Sequence, residues 1–195
     1  GVLDIACRVR ARSEIPILLF TYLNPVLKYG LEALARDAAE AGIDGCLLID
    51  ASVEEAERYV EVMRRHRLDT VFLAAPTSTE RRLKLVAEYS SGFVYLVSRT
   101  GVTGQRESLS AAVKPLVAAM RAVTDLPLAV GFGVSRREHV AELGRHVEGV
   151  AVGSAQIASG NQDLAERTCR QAMRLQQAAG SMAEVTGSVG ETASH

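Results

Sequence analysis

The chain has 195 residues, 48% of them hydrophobic and 23% charged, with a formal net charge of −1. This describes a globular chain long enough for one sizeable core, and the balanced charge excludes the basic surplus of a nucleic-acid binder. No apolar run approaches the ~20 residues that cross a bilayer, and the N-terminus has no signal-peptide pattern, so a cytoplasmic location is expected. The three cysteines (Cys7, Cys46, Cys169) lie far apart without metal spacing and read as reduced thiols. His66, His139, His146 and His195 likewise form no ligand cluster, and no metal site is expected.

Residues 1–13 read as the tail of a helix, with Val2, Ile5, Ala6 and Val9 at helical spacing. Pro16–Tyr22 is a uniformly apolar strand, expected to be buried on both faces, and Asn24-Pro25 breaks it. A helix follows, with Leu31, Leu34, Ala35 and Ala38 as its apolar stripe and Gly42 as its stop. Gly45–Asp50 is the second strand. Ser52 with Glu55 has the form of a capping box, opening a helix through about residue 65. Thr70–Ala75 is the third strand, closed by Pro76, and Thr79 can cap the helix that buries Leu83, Val86 and Ala87. Phe93–Val97 is the fourth strand, and its loop, holding Arg99, Gly101 and Gly104, runs to about Ser108. The next helix carries Val113, Leu116, Val117 and Met120; Pro115 fits it only in or near the first turn. Pro127–Gly131 is the fifth strand, followed by Phe132-Gly133, and Ser135 with Glu138 forms a second capping box. Val147–Val152 is the sixth strand, followed by Gly153-Ser154 and a helix from about Asp163 to Gln177. The Gly/Ser/Thr-rich end, 178–195, reads as a disordered tail after one domain spanning 1–177.

A helix and six βα units with continuous apolar strands specify a parallel sheet with helices outside it. A doubly wound open sheet would want a Gly-rich turn after its first strand, and residues 21–24 contain none. A (β/α)8 barrel places phosphate at the loops after its last two strands, here Gly131-Phe132-Gly133 and Gly153-Ser154, so the TIM-type barrel is the expected fold. Such barrels run to about 250 residues, and this chain is short by roughly two units.

In a barrel the C-terminal strand ends face the active site and the N-terminal ends serve stability. Asp44, Asp69 and Asp125 precede strands and read as structural. Tyr22, Asp50, Tyr95, Arg99 and the glycine turns follow strands. The glycines let bare N–H groups approach an anion, and the Ser154 hydroxyl can donate as well. Phe20, Leu47, Ile49, Leu73 and Phe132 are barrel core or a flat apolar slot beside the phosphate site. Arg99 holds an anion or is a solvated loop charge; Tyr95 is a wall or a donor. Asp50 is the only carboxylate directly at a strand end. Lytic chemistry on a phosphosugar needs both a proton donor and an acceptor. Residue by residue, the reading stops at a phosphate-binding barrel with an incomplete set of acids.

Pro16-Ile17, Thr21-Tyr22-Leu23-Asn24-Pro25, Tyr29-Gly30, Ala75–Thr79, Gly131–Ser135, Val152–Ser154 and above all Ser98–Gly104 resemble the tryptophan synthase alpha subunit, over about residues 1–175. The resemblance implies a (β/α)8 barrel that cleaves indole-3-glycerol phosphate to indole and glyceraldehyde 3-phosphate. Indole would then pass to a pyridoxal-phosphate-dependent beta subunit in an alpha2beta2 assembly, this chain itself needing no cofactor. Carried over by position, Gly104, Gly133, Gly153 and Ser154 would bind phosphate. Tyr22, Leu47, Tyr95 and Phe132 would line the indole pocket. Arg99 and Thr103 would belong to a mobile lid, and Asn24-Pro25 would face the beta subunit. The resemblance also implies an N-terminally incomplete barrel lacking the first two strands. The family's catalytic glutamate and aspartate belong to that segment, so none is assigned in this chain. Asp50-Ala51-Ser52 further departs from the family in lacking the proline usual after that aspartate. Two classes of function remain: the lyase, with both acids supplied by the absent segment, and a non-catalytic phosphate-binding or beta-subunit-docking remnant. A different phosphate-binding barrel enzyme is the further alternative.

Overall fold

The computed structural model describes residues 1–97, 109–131 and 137–151, and of 109–112 and 137–139 the backbone alone. All belong to the unit Gly1–Val152. The loop to Ser108, the Ser135–Glu138 box, the 163–177 helix and the 178–195 tail lie outside the described residues. So do the site candidates Arg99, Thr103, Gly104, Phe132, Gly133, Gly153 and Ser154.

The chain alternates helix and strand. The order is α1 (Val2–Arg10), β1 (Leu18–Thr21), α2 (Leu23–Tyr29), α3 (Leu31–Glu40), β2 (Gly45–Leu48), α4 (Glu57–Arg65), β3 (Asp69–Val71), β4 (Leu73–Ala74), α5 (Glu80–Tyr89), β5 (Val94–Val97), α6 (Leu109–Arg121), β6 (Leu128–Gly131), α7 (Arg137–Leu143) and β7 (Gly149–Val150). Every pairing is parallel, in the orders β1-β2-β3 and β4-β5-β6-β7. One stretch joins the two sheets: residues 69–71 pair with β2, residues 73–74 with β5. The expected third strand is therefore two short ones. Before β5 begins, Ser90 and Ser91 stand in for a strand: Ser91 Oγ accepts from the Thr70 N–H at 3.1 Å and Ser90 Oγ from the Phe72 N–H at 3.3 Å.

Side chains alternate across the pleat, and the two faces pack differently. Cys46, Leu48, Phe72, Ala74, Val94, Leu96, Leu128 and Val130 join the helices in the main core, with Val62, Met63, Val86 and Met120 among the helical members. Leu47, Val71 and Tyr95 form a separate inner cluster, flanked by Leu18, Ile49, Leu73, Phe93 and Val97. A sheet sealed outside by helices and lined inside by large side chains is barrel architecture.

Several local expectations are corrected. β1 is not buried on both faces: Phe20 is 44% exposed, because among the described residues β1 pairs on one side only. Asn24-Pro25 does not break the chain but lies in the first turn of α2, where proline loses no helical bond. Val2 and Ile5 are exposed, so α1 packs through Ala6 and Leu3 instead. Arg10 fixes that face by donating to the Gly42 carbonyl at 2.7 and 2.9 Å and to Asp44 at 2.6 Å. Ser52 makes no capping box. Its hydroxyl donates to Glu54, and the chain takes a 3-10 turn, Val53–Glu55, before α4 starts at Glu57. Pro115 lies inside α6, beyond its first turn. Two helix ends behave as read. Thr79 Oγ1 accepts from the Arg82 N–H, and α3 closes with Gly42 at φ +77°, Ile43 and Gly42 donating to the Ala38 and Ala39 carbonyls.

Candidate active site

Four strand registers bring the inner side chains together. Phe20 lies beside Leu47, Leu47 beside Val71, Leu73 beside Tyr95, and Tyr95 beside Ala129. Two of the sequence candidates, Leu47 and Tyr95, thus share one cluster, 0% and 7% exposed. Phe20 completes it: its ring centroid stands 6.2 Å from that of Tyr95, tilted by 54°, within the range of a favourable aromatic pair. Tyr22 does not join the cluster. It is 42% exposed at the start of α2, in extended conformation (φ −101°, ψ 160°).

Gly131 explains how the Tyr95 ring is seated. A Cβ at residue 131 would stand 1.7 Å from the Tyr95 hydroxyl oxygen, 2.3 Å from its Cζ and 3.1 Å from the Ala151 Cβ. Only a glycine lets a phenol lie this close to the strand backbone. The sequence marks Gly131 as the start of a phosphate turn; that a tyrosine from the neighbouring strand occupies its Cβ space has no local signal.

Asp50 was also visible in sequence, but not its partner. Oδ1 accepts from the Leu23 N–H at 2.7 Å, tying the end of β2 to the first turn of α2. No other acidic residue or side-chain cap serves that helix start.

The opposite strand ends are structural, as expected for Asp44 and Asp69. Asp44 accepts from the Ile17 N–H at 2.7 Å as well as from Arg10; Asp69 accepts from the Ser91 hydroxyl at 2.7 Å. Glu148, not singled out in sequence, repeats the Asp44 pattern: it accepts from the Leu128 N–H at 2.8 Å and pairs with Arg121. The Leu128 N–H first, and then Arg121, hold its carboxyl below the ordinary glutamate range. Asp125 is exposed.

Of the described thiols, Cys46 faces the helical core, and burial pushes it up to about 11. At neutral pH it is a thiol and no nucleophile. Among the described residues no group of three or more His, Cys, Asp or Glu could hold a metal. No described helix is long and apolar enough to cross a membrane. Open hollows of 360 Å3 beside Ile5, Val9 and Arg12, and 430 Å3 beside Arg81 and Lys84, lie on helix surfaces away from the inner cluster. Neither converges polar groups on one point.

The geometry is an aromatic-lined inner face at the C-terminal strand ends of a parallel barrel sheet. Sequence comparison adds to it. The family profile of the tryptophan synthase alpha chain matches residues 1–187. The tryptophan synthase alpha chain of Solibacter usitatus is 74% identical over 155 residues, 80% of this chain and 58% of the relative; that of Geobacter sulfurreducens is 47% identical over 154 residues. The chain thus spans less than two thirds of the length of these relatives. Among solved structures, the tryptophan synthase a2b2 complex of Pyrococcus furiosus superposes with a TM-score of 0.72 at 40% identity, over 78% of this chain and 62% of that one. Tryptophan synthase of Mycobacterium tuberculosis gives a TM-score of 0.71 at 40% identity, over 80% of this chain and 59% of that one.

Proposed function

Because the chain belongs to the tryptophan synthase alpha chain family, we propose that it carries the substrate-binding part of a lyase that cleaves indole-3-glycerol phosphate to indole and glyceraldehyde 3-phosphate in tryptophan biosynthesis. The observation that carries this reading is the inner cluster of Leu47, Val71 and Tyr95 with Phe20 against it. It offers apolar and aromatic surface to a flat ring, as a pocket for indole must. Leu47 and Tyr95 form its wall and Tyr22 its rim, with Phe132 as a further wall. Gly104, Gly133, Gly153 and Ser154 hold the phosphate, and Arg99 and Thr103 act from the lid. Residues 1–177 form the barrel domain, and the protein works in the cytoplasm.

A cleavage of this kind needs a proton donor and an acceptor at the bond that breaks. Asp50, the one carboxylate directly at a described strand end, is already engaged with the Leu23 N–H. The lyase reading therefore assigns the two acids to sequence outside these 195 residues. The same observation favours, as a second reading, a chain that binds substrate or docks a beta subunit without cleaving. The partner in either case is a beta subunit, with Asn24-Pro25 facing it and pyridoxal phosphate on the partner alone. An indole-release assay with indole-3-glycerol phosphate, run with and without a beta subunit, separates them. Indole formation supports the lyase; substrate binding without indole formation selects the second reading, and no binding overturns both.

A further inference from the structure

The β1–β2 ladder ends where the Ile49 N–H donates to the Thr21 carbonyl at 2.9 Å. Two residues on, the Leu23 N–H has no strand carbonyl to meet and is taken by Asp50 Oδ1 at 2.7 Å. Leu23 is the first residue of α2, whose capping position is Tyr22, a side chain that makes no cap bond. Asp50 thus does from a neighbouring strand what an Asp or Ser at position 22 would do locally. The bond is charge-assisted, and the carboxylate sits at the positive end of the helix dipole.

Tyr22 is still extended, so the strand's alternation runs through it and places it on the face of Leu18 and Phe20. The Tyr22–Leu23 peptide is the hinge between that inward column and the helix. We infer that Asp50 is a positioning residue for the indole side of the site: by holding the Leu23 N–H it fixes this peptide plane and so aims the Tyr22 ring over the inner cluster. The inference rests on the proposed lyase-type site. It assigns Asp50 no proton transfer; it separates a residue that shapes the aromatic end from those that hold phosphate.

The test uses the full chain and two probes, a non-cleavable indole-alkyl phosphate and glyceraldehyde 3-phosphate, with affinities from calorimetry. Asp50→Ala should weaken the indole probe about tenfold, the scale of a lost helix cap, and leave glyceraldehyde 3-phosphate within about twofold. Asp50→Asn keeps an amide oxygen as acceptor and should restore most of the loss. Leu23→Pro removes the donor instead; proline suits the first helical position and the extended residue before it, and it should reproduce the selective loss. It also decides the matter should Asp50→Ala not fold. Equal weakening of both probes, or no weakening, overturns the positioning role. A wild-type chain that binds neither probe overturns the site itself, and with it this inference, a result read before any variant is made.

Discussion

The two faces of the same sheet are built to different ends. Leu48, Leu96, Leu128 and Val130 face outward and are 0–2% exposed, sealed by helices. On the inner face Leu47, Val71 and Tyr95 are buried, yet Phe20 is 44% exposed and Leu18 and Ile49 are only half-buried. A close-packed face stabilises because each methylene has partners on every side. A face with aromatic side chains left partly open contributes less to folding and keeps surface for a ligand. Stability and recognition are thus assigned to opposite sides of one strand, residue by residue.

The sharpest way to break this division is to cut each face once. Leu96→Ala opens a cavity in the sealed face and should cost about 2–5 kcal/mol in urea unfolding, while the folded protein binds an indole probe as before. A loss of affinity in step with stability would mean that the faces are not independent. Gly131→Ala acts on the other side. Its Cβ would overlap the Tyr95 hydroxyl, at 1.7 Å, so the ring or the strand must move. It should cost about 1–3 kcal/mol of stability and weaken the indole probe by more than about tenfold. Unchanged affinity would remove Tyr95 from the site. A milder cut on the outer side is Thr79→Ala, which deletes the cap of α5 and should cost about 1 kcal/mol, with no effect on any ligand.

Much of this division was legible in the sequence, and the exceptions share a cause. β2 and β5 are apolar runs that bury both faces, and they are found where their composition places them. Thr79 and Gly42 act within their own turns, so their roles can be read locally. Asp50 as a cap, Tyr95 over Gly131 and Ser90-Ser91 at the 69–74 stretch join residues distant in sequence, and nothing beside them announces the partner. The Ser52 box fails for the converse reason: the local pattern is present, but Glu54 takes the hydroxyl and the 3-10 turn displaces the helix start. Phe20 and Tyr22 looked as buried as β2, because composition records apolarity and not whether a second strand lies alongside.

The smallest effect tests the ends of the strands. Glu148 accepts from the Leu128 N–H and pairs with Arg121, and those contacts hold its folded pKa below the ordinary value. A depressed carboxyl contributes stability that is fully present above the unfolded pKa, about 4.3 for glutamate, and is lost as pH falls through the folded value. Because the pair is largely solvent-exposed, its share is about 0.5 kcal/mol. Glu148→Gln should therefore unfold slightly more easily than the wild type at neutral pH, and the two should converge between about pH 4.5 and about pH 3. The indole probe should bind both alike, since this carboxylate serves the base of β6 and β7 and not their C-terminal ends. Melting curves for the two proteins that stay parallel through that window would show that the contact is not made in solution. A pH-dependent gap in indole affinity would show that the base of the barrel reaches the site after all.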